Sequence, residues 1–380
     1  MNFREHYDAL MKLCEGDSPF YFVDQVRDTT VYRIFSYRLA SYTEFLLPYA
    51  RMCRGHMFEL DADGNLVRCA SMPPAKFFNM NENPITMDLD FSYCDRVLDK
   101  MDGSLISSYL MYDSEVFLKS KTSLNSDQAR AAMDLLNTSE YSPLKYFIKL
   151  MEWNGYTINL EYTAPNNRIV LPYQKPALTI LNAVWSSEGE LYGTMMGHDV
   201  LEVLVKHYGI PSMLVKNHAK DITDYPAFIE SIKDMTDIEG YVIGIANGET
   251  VKVKTDWYCA LHHAKDSINS PRRLFEVVVN EAHDDLRGVF PEDEYLLARI
   301  QEMEKIVQGI YANIKINVEK FYNENASLDR KSYAILGQQS VPRLYFSLAM
   351  NLFLGKENDY KDWMLKHWKD FGIKDDPSED

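Results

Sequence analysis

The run Lys100-Met101-Asp102-Gly103-Ser104 places a lysine at the mouth of an Asp-Gly turn, directly after a strand-like stretch. Two chemistries fit it. In the first, Asp-Gly supplies a surface bend and Lys100 is solvated. In the second, Lys100 is a nucleophile. An ammonium with an ordinary pKa of about 10.4 must then lose its proton, which desolvation or neighbouring cations (a metal ion included) promote. The second reading requires more positive charge close by, and the chain offers Arg54, Lys76, Lys119, Lys121, Lys252 and Lys254.

Two of these cations sit in a hairpin pattern. Residues 241–246 (Tyr-Val-Ile-Gly-Ile-Ala) and 250–254 (Thr-Val-Lys-Val-Lys) flank Asn247-Gly248, a strong two-residue turn signal. That turn sets Ile243 opposite Lys252 and Tyr241 opposite Lys254, and strand alternation then puts Glu239 on the face of both lysines. A longer turn shifts this register. In isolation the two lysines equally describe a solvated edge strand, and Glu239-Gly240 simple turn chemistry. Arg54 and Lys76 equally describe halves of surface ion pairs worth at most about 1 kcal/mol.

The elements that would position these residues follow from periodicity. Phe3, Tyr7, Leu10, Met11 and Cys14 predict an amphipathic helix over 1–14. From about 31 to 120, short apolar runs broken by Asp61-Ala62-Asp63-Gly64 and Asp102-Gly103 predict strands and hairpins. Residues 126–153 return to a helical pattern, and strands are predicted at 156–162, 168–173 and 177–185. After about 261 the pattern is helical: one long amphipathic helix over 291–324, then shorter ones including 341–354 and 359–370. The charged tail from Lys374 to Asp380 is expected to fray. The expectation is α+β, with a domain of antiparallel sheets and helices over 1–260 and an all-α domain over 261–380.

Composition narrows the function classes. With 380 residues, 46% apolar and 25% charged, the chain has the makeup of a soluble globular protein with room for two domains. Forty Lys plus Arg against 56 Asp plus Glu give a net charge of −16, so any polyanion must be met by local positive charge. Cys14, Cys53, Cys69, Cys94 and Cys259 form no C-x-x-C pair, which argues against a disulfide framework or thiolate zinc site. His262-His263 and the other seven histidines show no metal-ligand spacing. No apolar run approaches the roughly 20 residues that span a bilayer, so the cytoplasm is the expected location and no membrane partner is expected.

An ordered series of motifs surrounds Lys100. Arg51-Met52-Cys53-Arg54-Gly55 and Lys76-Phe77-Phe78-Asn79 precede it. Lys119-Ser120-Lys121, Asn159-Leu160-Glu161-Tyr162, Ile238-Glu239-Gly240-Tyr241 and Val251-Lys252-Val253-Lys254 follow. The series resembles the covalent nucleotidyltransferases: DNA ligases, RNA ligases and messenger RNA capping enzymes. The Tyr32–Tyr37 stretch, Arg54-Gly55, Lys76–Asn79 and the Lys254-Thr255-Asp256-Trp257-Tyr258 ending are similar to the ATP-dependent RNA ligase 1 family, best known from T-even bacteriophages. The similarity covers most of 1–290.

That resemblance implies a ligase/capping-enzyme-like nucleotidyltransferase fold, with Lys100 as the residue that attacks ATP to form lysyl-AMP. It implies nucleotide contacts from Tyr37, Arg54, Lys76, Phe78, Lys121, Glu161, Glu239, Lys252 and Lys254, Phe78 fitting a purely structural role nearly as well. Glu161 and Glu239 would hold Mg2+ mostly through water, and the pair Asp284-Asp285 would serve a second metal, although two acids opening a helix look the same. Further implications are an RNA substrate, transfer RNA with a broken anticodon loop, a polynucleotide kinase/phosphatase as functional partner, and the cytoplasm of a phage-infected bacterium as the setting. The helical domain would supply RNA specificity. Met101 occupies a position the family varies; Leu160 replaces a common aromatic, which is expected to alter packing near the ribose. A DNA ligase or capping enzyme is the enzymatic rival, disfavoured because helices rather than a small β-barrel follow the last lysine motif. A catalytically silent RNA-end-binding module is the rival of another class, disfavoured because no reacting group is missing.

Overall fold

The computed structural model describes residues 2–111, 115–167, 171, 173–245, 248–262, 270–289 and 294–374. The chain divides into two compact units, Met1–His262 and His263–Asp380.

The first unit opens with α1 (Phe3–Leu13), started by a capping box in which Asn2 and Glu5 satisfy each other's backbone amides. Strands β1 (Phe20–Arg27), β2 (Thr30–Tyr37), β3 (Met57–Leu60) and β4 (Leu66–Ser71) form an antiparallel sheet in chain order. Phe3 and Leu10 of α1 pack with Phe20, Phe35, Phe45 and Phe58 of this sheet and its connections. Next come β5 (Phe78–Asn79), β6 (Cys94–Asp99), β7 (Ser104–Met111) and β8 (Glu115–Lys119). The helical pattern at 126–153 resolves into two helices, α2 (Asp127–Leu136) and α3 (Ser142–Trp153). They are followed by β9 (Tyr156–Thr163), β10 (Ala177–Trp185), α4 (His198–His207) and α5 (Tyr225–Ser231). The unit closes with β11 (Gly240–Ile245), β12 (Thr250–Lys254) and α6 (Asp256–His262).

Two further sheets carry the chemistry-bearing residues. One is antiparallel in the order β10-β9-β7-β8; the other runs β5-β12-β11-β6, with β5 parallel to β12. Strand β9 shows how the sequence positions a side chain. Ile158 and Leu160 point to the helices and pack with Leu144, Phe147, Ile148 and Ile180. Asn159 and Glu161 therefore point to the opposite face, where Asn159 accepts a hydrogen bond from Ser107 Oγ at 2.6 Å. Leu160 thus fills the core beneath the sheet, on the face opposite Glu161.

Two expectations change. Of the strand expected at 168–173, residues 168–170 and 172 lie outside the described residues, and Leu171 and Tyr173 belong to no strand. The β11–β12 register is one residue off: Val242 faces Lys252 and Gly240 faces Lys254. Asn247 lies outside the described residues, but Ile245 N donates to Glu249 O and Gly248, at φ +87°, donates to Ile245 O. The closing pair is therefore Ile245–Glu249, one residue wider than a two-residue turn allows, with glycine in the left-handed region that such longer loops use.

Among its described residues the regular elements of the second unit are all helical, the α-helices being α7 (Pro271–Val279), α8 (His283–Val289), α9 (Glu294–Asn325), α10 (Arg330–Ser340), α11 (Phe346–Phe353) and α12 (Tyr360–Lys366). Ile300, Val307, Ile314 and Val318 make the buried stripe of the long helix α9. Arg287 donates to both oxygens of Glu304, and His283 joins the same carboxylate at 2.7 Å. Burial alone would raise the Glu304 pKa; the hydrogen bonds and charge contributed by these two neighbours outweigh it and bring it to about 2. Residues 375–380, where fraying was expected, lie outside the described residues.

Candidate active site

Lys100 follows the last residue of β6. Its amide donates to the Gly240 carbonyl at 2.9 Å, which docks it against the start of β11. Its Nζ lies 2.6 Å from Glu239 Oε1, and Lys254 Nζ reaches the same oxygen at 3.2 Å. The Lys100 side chain is 20% exposed, that of Glu239 3% and that of Lys254 10%. Lys100 is thus not a solvated turn residue.

Gly240 explains how Glu239 joins the lysines despite the shifted register. Its φ of +141° breaks strand alternation at that point, and a Cβ there would stand 2.0 Å from the Val253 carbonyl oxygen. Glu239 precedes the strand, pairs across to Thr255 through its backbone carbonyl at 3.0 Å, and sends its side chain to the lysine face. Nor is β12 an edge: it pairs with β11 on one side and, at Val251 and Lys252, with Phe78 and Asn79 of β5 on the other. Lys252 and Lys254, two apart, share one face of this internal strand.

Glu161 accepts a hydrogen bond from the Gly103 amide at 3.0 Å. Burial pushes its carboxyl up to about 7; Lys100 pulls it down, Glu239 adds to the rise, and the Gly103 amide and Arg54 pull it down again. Lys100, Glu239 and Arg54 thus all act on the Glu161 carboxyl. Glu239 Oε2 is buried without a hydrogen-bond partner. A spare buried carboxylate oxygen, with a second buried carboxyl near enough for the two charges to interact, fits a hydrated hard cation or sugar hydroxyls. Among the described residues no group of three His, Cys, Asp or Glu side chains makes a protein-only metal cage; a cation here would keep most of its waters.

A second group of predicted residues gathers around aromatic rings. Lys121 Nζ sits 4.0 Å from the Tyr37 ring centroid. Lys76 Nζ lies 5.4 Å from Tyr37, 5.3 Å from Phe78 and 5.0 Å from Phe45. Phe45 is edge-on to Tyr37 at 4.8 Å, so it fixes that ring. Arg54 reaches the Phe77 ring at 5.9 Å and makes no ion pair with a carboxylate among the described residues. Asp284 and Asp285 occupy the first turn of α8 in the second unit, where acids complement the helix dipole.

Several contributors were not picked out from sequence. Asp102 is only 1% exposed. Its Oδ1 accepts from Tyr258 OH at 2.9 Å and its Oδ2 from the Leu171 amide at 2.7 Å, while its own amide donates to Tyr173 OH at 3.1 Å. The Asp-Gly bend is a buried junction between the Lys100 loop and α6, and Tyr258 lies in turn under Lys254 Nζ at 5.0 Å. The available signal was Tyr258 itself, at the end of the last lysine motif. Phe45 carried no signal beyond its hydrophobicity.

Residues 52–258 match the family model described as RNA ligase, more than half of the chain. The chain belongs to the RNA ligase family. Residues 265–372 match the model of the T4 RNA ligase 1 C-terminal domain. RNA ligase 1 of bacteriophage TS2126 is 28% identical over 275 residues, covering 70% of this chain and 65% of that relative, so less than two thirds of the relative's length is matched. Among solved structures, an archaeal ATP-dependent RNA ligase is similar at a TM-score of 0.46 and 13% identity, over 89% of this chain and 93% of that one. An Aquifex aeolicus protein described as a putative ATP-dependent DNA ligase is similar at 0.46 and 11%, over 93% and 99%.

Proposed function

We propose that this RNA ligase family member is an active ATP-dependent RNA ligase. The observation that carries the reading is the Lys100–Glu239–Lys254 cluster: a partly exposed amine and a second, nearly buried one held on a single buried carboxylate oxygen, from three sequence motifs. Lys100 Nζ bonds to the α-phosphorus of ATP as the bond to the β-phosphate oxygen breaks, giving lysyl-AMP and pyrophosphate. AMP then passes to an RNA 5′-phosphate, and a 3′-hydroxyl displaces it to seal the strand. Each step is a displacement at phosphorus, governed by alignment and charge.

The roles divide by position. Arg54, Lys76 and Lys121 neutralise the triphosphate, with the Tyr37 and Phe78 rings shaping the nucleotide site. Lys252 and Lys254 hold the α-phosphate region. Glu161 and Glu239 hold ribose hydroxyls and the waters of Mg2+, which when bound supplies positive charge opposite the phosphates. Asp284 and Asp285 serve a second metal. The helical domain over 261–380 selects the RNA, a transfer RNA broken in its anticodon loop, after a kinase/phosphatase has prepared the ends in the cytoplasm of an infected bacterium. No helix among the described residues is long and apolar enough to cross a membrane.

The test is sealing of a 5′-phosphate, 3′-hydroxyl RNA nick, with a broken anticodon stem-loop, a linear single strand and nicked DNA compared. ATP-dependent sealing of RNA, fastest on the broken stem-loop, supports the reading. Sealing of DNA alone, or release of a cap-type product, overturns it.

A further inference from the structure

Lys119 ends β8 with no exposure to solvent. No carboxylate contacts it among the described residues. Its Nζ donates instead to two carbonyls, Gly55 O at 2.6 Å and Ser120 O at 3.2 Å. An ammonium buried without a counter-charge is unfavourable, and burial brings this one down to about 7. An apolar side chain would fill the space without that cost. The charge therefore calls for a reason in what lies around it.

What lies around it is the turn that carries Arg54. Gly55 N donates to Phe35 O at 2.8 Å, tying the turn to β2, and Gly55 O receives Lys119. Gly55 has φ +97°, and a Cβ on it would lie 2.6 Å from Lys121 O and 3.3 Å from Lys119 Nζ. One glycine is thus gripped between the end of β2 and the Lys119–Lys121 segment. Arg54 stands one residue before the grip and Lys121 two residues after Lys119. The neighbouring His56 ring is wholly buried, and both Lys119 and Arg54 add to the burial that keeps it neutral.

We propose that Lys119 is a positioning residue for the nucleotide: by clamping the Gly55 carbonyl it fixes the turn that carries Arg54 against the Lys119–Lys121 segment, and so sets where the Arg54 guanidinium meets the triphosphate. Its own amine, sealed from solvent and pinned by two carbonyls, does not react. The inference rests on the reading of Arg54 and Lys121 as triphosphate contacts.

The experiment is a double-mutant cycle in the full chain, reading KM for ATP in lysyl-AMP formation. Lys119→Met is measured in the wild-type and Arg54→Ala backgrounds. Positioning through Arg54 predicts that Lys119→Met raises KM about tenfold or more in the wild-type background and no more than about twofold where Arg54 is already absent. An unchanged KM, or an equal rise in both backgrounds, overturns it. Should Lys119→Met not fold, Lys119→Arg enters the same cycle; a KM rise confined to the background retaining Arg54 supports the clamp, and an equal rise in both, or none, overturns it. If the wild-type protein itself forms no lysyl-AMP, the RNA ligase reading fails first, and that outcome is distinct from labelling with an unchanged KM.

Discussion

Glu239 Oε1 binds Lys100 and Lys254 at once, at 2.6 Å and 3.2 Å, from a position in which it is almost wholly buried. One carboxylate oxygen thus separates two ammonium groups. Removing it leaves like charges facing each other where side-chain exposure is low and screening by water is weak. Glu239→Ala is expected to lower lysyl-AMP formation about a hundredfold or more. It should also cost about 1–3 kcal/mol of stability, less than a fully buried pair would because Lys100 is partly exposed. Denaturant melts beside single-turnover labelling check both; an unchanged labelling rate contradicts the account.

Gly240 is the hinge that lets Glu239 reach the lysines. Gly240→Ala must place a methyl 2.0 Å from the Val253 carbonyl oxygen at a φ of +141°. The β11–β12 pairing has to shift, so the variant is expected to lose about 3 kcal/mol and nearly all adenylylation. Chemical denaturation and labelling measure the two; near-wild-type values in both would show that the pairing tolerates the side chain.

Lys76 and Lys121 lie against the Tyr37 ring and make no covalent bond to substrate in the proposed reaction. Lys76→Ala and Lys121→Ala should each raise KM for ATP about tenfold while sealing of RNA already bearing a 5′-adenylate falls much less. Equal losses with both substrates would place these lysines in a later step.

Much of this constellation was legible in the sequence, because Lys100, Glu161, Glu239, Lys252 and Lys254 stand in an ordered series of motifs, whereas each alone equally describes a turn or a solvated strand. The register of their hairpin was not. Asn-Gly favours a two-residue turn, but the pair that closes is Ile245 with Glu249, and only the assembled sheet discloses the extra residue. Asp102 was missed because Asp-Gly at a bend looks the same whether the aspartate faces water or, as here, Tyr258. Lys119 was legible only as one cation among six, since its burial comes from the meeting of β8 with the Gly55 turn, segments far apart in the chain.

Two buried histidines are expected to make the first unit sensitive to acid. His6 and His56 are wholly buried, with ring centroids 5.3 Å apart. Burial lowers His6 to about 4 from 6.5 and takes His56 well down in the same direction. Between those values the unfolded chain binds more protons than the folded one. The contribution is therefore fully present above pH 6.5 and is lost as pH falls towards 4, about 3 kcal/mol for His6 alone. Urea midpoints measured from pH 7.5 to 4.5 should fall steeply in the wild type and less in His6→Gln. Parallel curves would assign the acid sensitivity elsewhere.

The central claim is that Lys100 becomes the adenylate carrier. Its most direct measurement is intact-protein and peptide mass spectrometry after incubation with ATP and Mg2+. The account predicts one adenylate per chain, on Lys100, absent from Lys100→Ala and removed by added pyrophosphate. An adenylate on any other residue, or none on folded wild-type protein, would contradict it.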